Sequence, residues 1–267
     1  MSIRICVAGV TGWTGSAVTR GVIAGDDFQL SGAVARATAG QDVGDALGLA
    51  EKTGVIICDS VAQALDAGAD VFIDYTTAAT VMDNVLLAID RGVAVVVGTS
   101  GLGSADYDRI ATAAEAKGVG VIGGGNFSLT ATLMQHLALI AAEHVPEFEV
   151  LDFAWADKED VPSGTARELA EKLGDVRQPT KGRATDALHG PIETRGAAIN
   201  GVQVHSLRMS GFTLRCEAVF GMAGERLVVA HEAGQSAEPY VSGTLLAAKR
   251  AAQVTGLVRG LDELLFT

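Results

Sequence analysis

The feature that most constrains the fold lies at the start of the chain. Residues 3–8 (IRICVA) form an apolar run, Gly9, Gly12 and Gly15 follow at three-residue spacing, and residues 16–23 carry a helical pattern. A strand that passes through a glycine turn into a helix is the opening of a βαβ unit. The glycines permit the sharp turn, bring backbone amides close to a pyrophosphate, and let the helix pack tightly on its strand. Trp13 and Thr14, between the last two glycines, belong to the same expected nucleotide turn. The spacing is GxxGxxG rather than GxGxxG, a variant found among Rossmann-type reductases.

The alternation continues. Residues 29–34, 55–58, 71–75, 94–97 and 120–122 read as strands, and residues 60–65, 81–89 and 105–116 as helices. Continuous apolar strands between helices predict a doubly wound parallel sheet covered on both faces. Ligands of such sheets bind beyond the carboxyl ends of the strands. The expected rim therefore carries Thr76 and Thr77, then Gly98, Thr99, Ser100 and Gly101, then Gly125, Asn126, Phe127 and Ser128. After the second strand, where a carboxylate usually holds the ribose of NAD, the chain has Ala35 and Arg36. An arginine without that carboxylate suits a 2′-phosphate, so NADPH is the expected cofactor and NADH the alternative.

Residues 129–143 read as a helix, and then the pattern changes. Residues 147–154 alternate, residues 175–198 are polar and turn-rich, and residues 202–209, 213–220 and 226–233 alternate with a period near two, which argues for an antiparallel sheet with one covered face. Residues 242–254 return to helix and residues 257–266 close the chain. The expected organisation is a Rossmann-type cofactor domain (1–127 and 241–267) and an α+β domain for substrate binding and oligomerisation (128–240), its sheet mixed or antiparallel.

Composition narrows the function. A formal net charge of -12 over 267 residues disfavours nucleic acid and anionic membranes as partners. Three cysteines with no CxxC spacing indicate neither a disulfide framework nor a metal site. No window approaches a membrane span and the N-terminus lacks a signal-peptide pattern, so a cytoplasmic protein is expected. In so acidic a chain, locally placed cations carry information. Lys158 precedes Pro162, Ser163, Gly164 and Thr165; Ser163 is a good N-cap, and residues 167–173 are strong helix formers. The first-turn amides and the positive end of the helix dipole make a seat for an anion such as a carboxylate.

With these pieces placed, the chain resembles the 4-hydroxy-tetrahydrodipicolinate reductase (dihydrodipicolinate reductase) family of bacterial lysine biosynthesis. The resemblance rests on AGVTGWTG at 8–15, VFIDYT at 71–76, VVGTSG at 96–101, GNFSLTA at 125–131, DKEDVPSGTA at 157–166 and VHSLRMSGF at 204–212. It implies that Gly9, Gly12 and Gly15 hold the pyrophosphate and that Arg36 sits at the adenosine ribose. Gly98, Thr99 and the turn of Gly125, Asn126 and Phe127 would line the nicotinamide. Lys158, Ser163, Gly164 and Thr165 would bind the substrate's carboxylates, with Ser100 beside them. The resemblance also implies a homotetramer built through the C-terminal-domain sheet.

One departure stands out. Where the family has two adjacent histidines, one a proposed proton donor, this chain has Ala154 and Trp155, and Asp157 replaces a third. A general acid contributes about 10²–10⁴-fold. The expected substitutes are Lys158 or Asp157, acting directly or through water; a carboxyl in an apolar pocket can have a raised pKa. Otherwise the substrate arrives as an iminium and needs only hydride. Trp155 offers a flat apolar surface to whatever binds there. The expected activity is reduction of a C=N bond in a cyclic imine. The alternatives are a paralogue acting on a different, less polar imine and a nucleotide-binding regulator without turnover.

Overall fold

The computed structural model describes residues 2–180 and 182–266. The chain divides into two compact units, Met1–Leu129 with Ala237–Thr267, and Thr130–Ser236. In chain order the first unit contributes β1 (Ile3–Ala8), α1 (Trp13–Ala24), β2 (Phe28–Val34), α2 (Val43–Leu47), β3 (Ile57–Cys58), α3 (Val61–Leu65), β4 (Val71–Asp74), α4 (Val81–Asp90), β5 (Ala94–Val97), α5 (Ser104–Lys117) and β6 (Gly120–Gly123). The second holds α6 (Leu129–His144), β7 (Glu147–Ala154), α7 (Gly164–Val176), β8 (Ala197–Ile199), β9 (Val202–Arg208), β10 (Leu214–Met222) and β11 (Glu225–Ala233). The chain then returns to the first unit with α8 (Val241–Ala251), β12 (Gly256–Arg259) and α9 (Asp262–Leu265).

The first unit is built on a seven-stranded parallel sheet of order β12-β6-β5-β4-β1-β2-β3. Side chains of a strand alternate between faces, and here both faces are buried. From β1, Ile5 and Val7 pack with Val18 and Val22 of α1 and Ala247 and Ala251 of α8, while Cys6 and Ala8 pack on the other face with Val85 of α4 and Ile110 of α5. That is why the strands read as continuous apolar runs. Each such Val or Ile contributes about 1.5–3 kcal/mol by leaving water.

The second unit carries a five-stranded sheet of order β11-β10-β7-β9-β8. Met134 and Ala138 of α6 and Leu169 and Leu173 of α7 pack against Phe148, Val150, Val204 and Phe220 on one face. The other face carries Val228 and Leu207 exposed at its surface.

The structure corrects the sequence reading in two places. First, α1 begins at Trp13 rather than residue 16, because Gly12 caps it and accepts from the Ser16 amide at 2.9 Å. Threonine and glycine are weak helix formers, so local propensity hid that turn. Second, residues 256–259 form β12, the outer parallel strand beside β6. The second sheet is mixed, one of the two arrangements expected of it: β10 pairs antiparallel with β7 and β11, but β7 and β9 are parallel. The connection from β7 through α7 is long enough to bring the chain back in the same direction, and the stretch read as one loop (175–198) also forms β8.

Candidate functional site

In the first unit the strand order reverses at β1, which has β2 on one side and β4 on the other. A crevice opens at such a switch point beyond the carboxyl ends of the strands. The turn after β1 enters it. Gly9 has φ +83°, and a Cβ there would fall 2.1 Å from the carbonyl oxygen of Tyr75; a Cβ on Gly15 would fall 2.0 Å from that of Gly9. Only bare backbone fits, so the start of α1 lies directly against the ends of β1 and β4. The Gly12 amide donates to the Gly9 carbonyl at 2.8 Å and closes the turn. The first-turn amides of α1 remain outside the intrahelical ladder, as at any helix start.

A cleft of about 510 Å³ runs beside this turn, lined by Gly9, Ala35, Arg36, Thr76, Thr80 and Asn84 among others. Arg36, the expected 2′-phosphate contact, is exposed in it just after β2. Asp59 and Asp83 line the same cleft and oppose its charge. Trp13 is exposed, with its ring edge-on to Tyr240 at 5.9 Å. A cradle that a side chain at Gly9 or Gly15 would fill, next to a cleft of this volume, fits a nucleotide.

Beneath the crevice lies a group the sequence reading passed over. Asp74, the last residue of β4, is fully buried. Its Oδ1 accepts from the Thr76 amide (3.0 Å), the Thr76 hydroxyl (2.6 Å) and the Thr99 hydroxyl (2.6 Å), and its Oδ2 accepts from Asn84 Nδ2 (2.9 Å). A buried carboxylate is tolerable only when its lone pairs are met. Here it ties the turn after β4 to the turn after β5.

Other expected rim residues also make contacts within the protein. A Cβ on Gly98 would fall 2.2 Å from the Tyr75 ring, so that glycine makes room for packing. Phe127 is buried and edge-on to Tyr75 at 6.4 Å, which leaves only its backbone for the rim. Asn126 Oδ1 accepts from the Ser128 amide at 2.8 Å, while Gly125 and Ser100 are exposed.

In the second unit β7 leads through a turn into α7. Ser163 caps α7 with a hydroxyl that accepts from the Ala166 amide at 3.3 Å. The same hydroxyl donates to Asp152 Oδ1 at 2.7 Å, and the Ser163 amide donates to Asp152 Oδ2 at 2.9 Å. Asp152 Oδ2 also accepts from the Ser206 hydroxyl (3.1 Å) and Arg208 Nη2 (2.7 Å). Burial by itself would push the Asp152 carboxyl up, but the hydrogen bonds from Ser163 and Arg208 outweigh it and hold the group below the usual carboxylate range. Ser163 is thus buried and committed to the protein, whereas Gly164 is exposed, with open space where its Cβ would stand.

Lys158 lies on the same turn with its side chain largely shielded. Its ammonium pairs with Asp160 Oδ1 and stands 5.3 Å from the centre of the Trp155 ring. Asp157 is exposed, without the apolar enclosure in this unit that the sequence reading asked of it. Ala154 is fully buried at the end of β7, and Trp155 is 42 % exposed just beyond it.

The remaining candidates for chemistry are structural. Burial pushes the thiols of Cys6 and Cys216 up to about 12, so neither is a nucleophile at neutral pH. His205 Nε2 lies 2.7 Å from Glu149 Oε2, and His231 Nδ1 lies 3.3 Å from the Thr130 hydroxyl. Among the described residues no group of three or more His, Cys, Asp or Glu is placed to hold a metal ion, and no helix is long and apolar enough to cross a membrane.

Two family models match the chain: dihydrodipicolinate reductase, N-terminus, over residues 3–127, and dihydrodipicolinate reductase, C-terminus, over residues 129–265. A 4-hydroxy-tetrahydrodipicolinate reductase of Moorella thermoacetica is 38 % identical, the match covering 99 % of this chain and 98 % of that one. One from Desulfitobacterium hafniense is 34 % identical over 98 % of both. Among solved structures, a dipicolinate-bound dihydrodipicolinate reductase from Paenisporosarcina sp. TG-14 superposes with a TM-score of 0.85 at 25 % identity, covering 99 % of this chain and all of that one.

Proposed function

The chain belongs to the dihydrodipicolinate reductase family, and on that premise we propose that this oxidoreductase reduces the C=N bond of a small, cyclic, dicarboxylated imine with NADPH. The observation that carries the proposal is the start of α7, where a capped helix end, an exposed Gly164 and the Lys158 ammonium occupy one short segment of chain. Helix-start amides with an adjacent cation suit a carboxylate. The relatives share one name, that of 4-hydroxy-tetrahydrodipicolinate reductase, and this favours their reaction over a paralogue's substrate or a regulator without turnover.

When bound, the nicotinamide nucleotide supplies the hydride that reaches the imine carbon. Gly9, Gly12, Trp13, Thr14 and Gly15 offer the backbone for its pyrophosphate, and Thr76, Gly98, Thr99, Gly125, Asn126 and the Phe127 backbone the rim beyond it. Arg36 favours a 2′-phosphate, provided its charge outweighs Asp59 in the same cleft. Gly164, Thr165 and Lys158 fix the substrate's carboxylates, with Trp155 at its edge. Ser163 acts through the cap it makes, its hydroxyl already being donated to Asp152. The nitrogen takes up a proton as the carbon takes the hydride. Lys158, whose side chain is largely shielded, is better placed to deliver it, directly or through one water, than the exposed Asp157.

The open face of the second unit's sheet, with Val228 and Leu207 exposed on it, is the surface through which copies of the chain would form a homotetramer. Light scattering on the purified protein reads that directly.

The activity is tested by following NADPH oxidation with a panel of cyclic imines that includes 4-hydroxy-tetrahydrodipicolinate. Saturable turnover of that compound, with a lower KM for NADPH than for NADH, is expected. Turnover only of imines lacking carboxylates, or a clear preference for NADH, contradicts the substrate or the cofactor assignment respectively.

A further inference from the structure

We infer that Asp152 and Arg208 are positioning residues for substrate binding, a charge-balanced pair that holds the start of α7 and the turn before it in the shape of a carboxylate seat. The inference rests on the proposed function and concerns residues for which that reading has no role.

Four hydrogen bonds converge on Asp152 from two segments. The Ser163 amide and hydroxyl come from the helix start, and the Ser206 hydroxyl and the Arg208 guanidinium come from β9. The same Nη2 of Arg208 that donates to Asp152 also donates, at 2.8 Å, to the backbone carbonyl of Asp160. Asp160 in turn pairs through its carboxylate with the Lys158 ammonium. One buried carboxylate and one guanidinium therefore fix both parts of the seat, the cap of α7 through Ser163 and the cation through the Asp160 backbone. Groups that bind a reacting molecule need such support, because a displacement of about 1 Å can cost about 10²-fold in rate.

Charge explains why the support is a pair. A lone buried carboxylate under a helix start would repel an anionic ligand and cancel part of the helix dipole's attraction. Arg208, with its side chain 13 % exposed and Asp152 at 1 %, offsets that charge where solvent cannot. The sign of the effect separates positioning from simple field effects. If Asp152 acted only through its negative charge, neutralising it would tighten an anionic ligand. If it positions the seat, neutralising it weakens the ligand.

The test uses the full-length protein and pyridine-2,6-dicarboxylate (dipicolinate) as probe, with NADPH binding as the control. Asp152→Asn is expected to weaken dipicolinate by about 10- to 100-fold, to raise KM for the imine more than it lowers kcat, and to leave NADPH affinity unchanged. Amide exchange at residues 163–165 should accelerate. Arg208→Lys, which keeps the charge but not the forked reach, should show a smaller loss of the same kind. Ser206→Ala removes a single 3.1 Å bond and gives a graded variant should Asp152→Asn not fold. Unchanged or tighter dipicolinate binding in Asp152→Asn overturns the inference, as does a parallel loss of NADPH. A wild-type protein that neither binds dipicolinate nor turns over the imine overturns the proposed function itself, and the seat with it. A working wild type with unaffected variants overturns this inference alone.

Discussion

The two units each carry a helix start with a glycine in it, and they build it in opposite ways. At α1 the presentation is all backbone. The N-cap is Gly12, which brings no side chain to the first-turn amides, and Gly9 and Gly15 are pressed to the point that a Cβ would lie 2.1 and 2.0 Å from carbonyl oxygens. At α7 it is made by side chains. Ser163 caps the helix, Asp152 holds Ser163, Arg208 neutralises Asp152, and Gly164 stands in open space. The buried carboxylates beneath differ likewise: Asp74 has only neutral donors, Asp152 a guanidinium. A site for a polyphosphate backbone needs bare amides and close approach. A site for a small dicarboxylate needs fixed direction and a balanced charge. The glycines are the sensitive positions in the first case and the polar anchors in the second.

Substitutions that exchange the two designs should separate them. Gly15→Ala puts a methyl group onto the Gly9 carbonyl with no flexible side chain to yield, and is expected to destabilise the first unit by about 3 kcal/mol or more. Urea denaturation and NADPH binding should both show it; tolerance of alanine there breaks the comparison. Ser163→Ala should cost about 2–4 kcal/mol, combining a lost cap with a buried carboxylate short of a donor. Denaturation of the variant, set against an unchanged NADPH affinity, checks that the damage stays in the second unit.

The acid limit sharpens the contrast further. Because the Asp152 carboxyl is held below its ordinary range, the stability it contributes is present above about pH 4, the pKa of a free aspartate, and is lost as pH falls through its lower folded value. Asp152→Asn should remove that part of the pH dependence, which thermal unfolding at several pH values would read. The smallest expected effect on stability is that of Gly164→Ala. Alanine exceeds glycine in a helix by up to about 1 kcal/mol, and the added methyl meets open space. Stability should hold or rise slightly while dicarboxylate binding weakens, since the methyl enters the seat. Weak binding and lost stability together would contradict the seat's location.

How far the sequence was legible follows from the same contrast. The glycine turn, the parallel strands and the α7 cap depend on local pattern, and they were readable residue by residue. The pairings that join distant segments were not. β12 belongs to the first sheet only through its register with β6, and the parallel pairing of β7 with β9 depends on the path between them. Asp74 and Asp152 were visible as carboxylates near the ends of apolar strands, a signal that a buried network is needed. Their partners were not, because Thr99 and Arg208 lie 25 and 56 residues away. The expected roles of Gly98, Phe127 and Ser163 illustrate the converse. Motif reading gives them to ligands and misses what they also do within the protein: Gly98 and Phe127 pack in the first unit and Ser163 binds Asp152. The exposed position of Asp157 likewise could not be inferred from its neighbours.

The central claim, that an anion is held at the start of α7 beside Lys158, is tested most directly by titrating dipicolinate into the NADPH-loaded protein and into its Lys158→Ala variant. The account predicts saturable binding that competes with the imine, weakened by about 10- to 100-fold in the variant, the loss of a charge-assisted hydrogen bond of about 1.5–3 kcal/mol. Full affinity in the Lys158→Ala protein would contradict it.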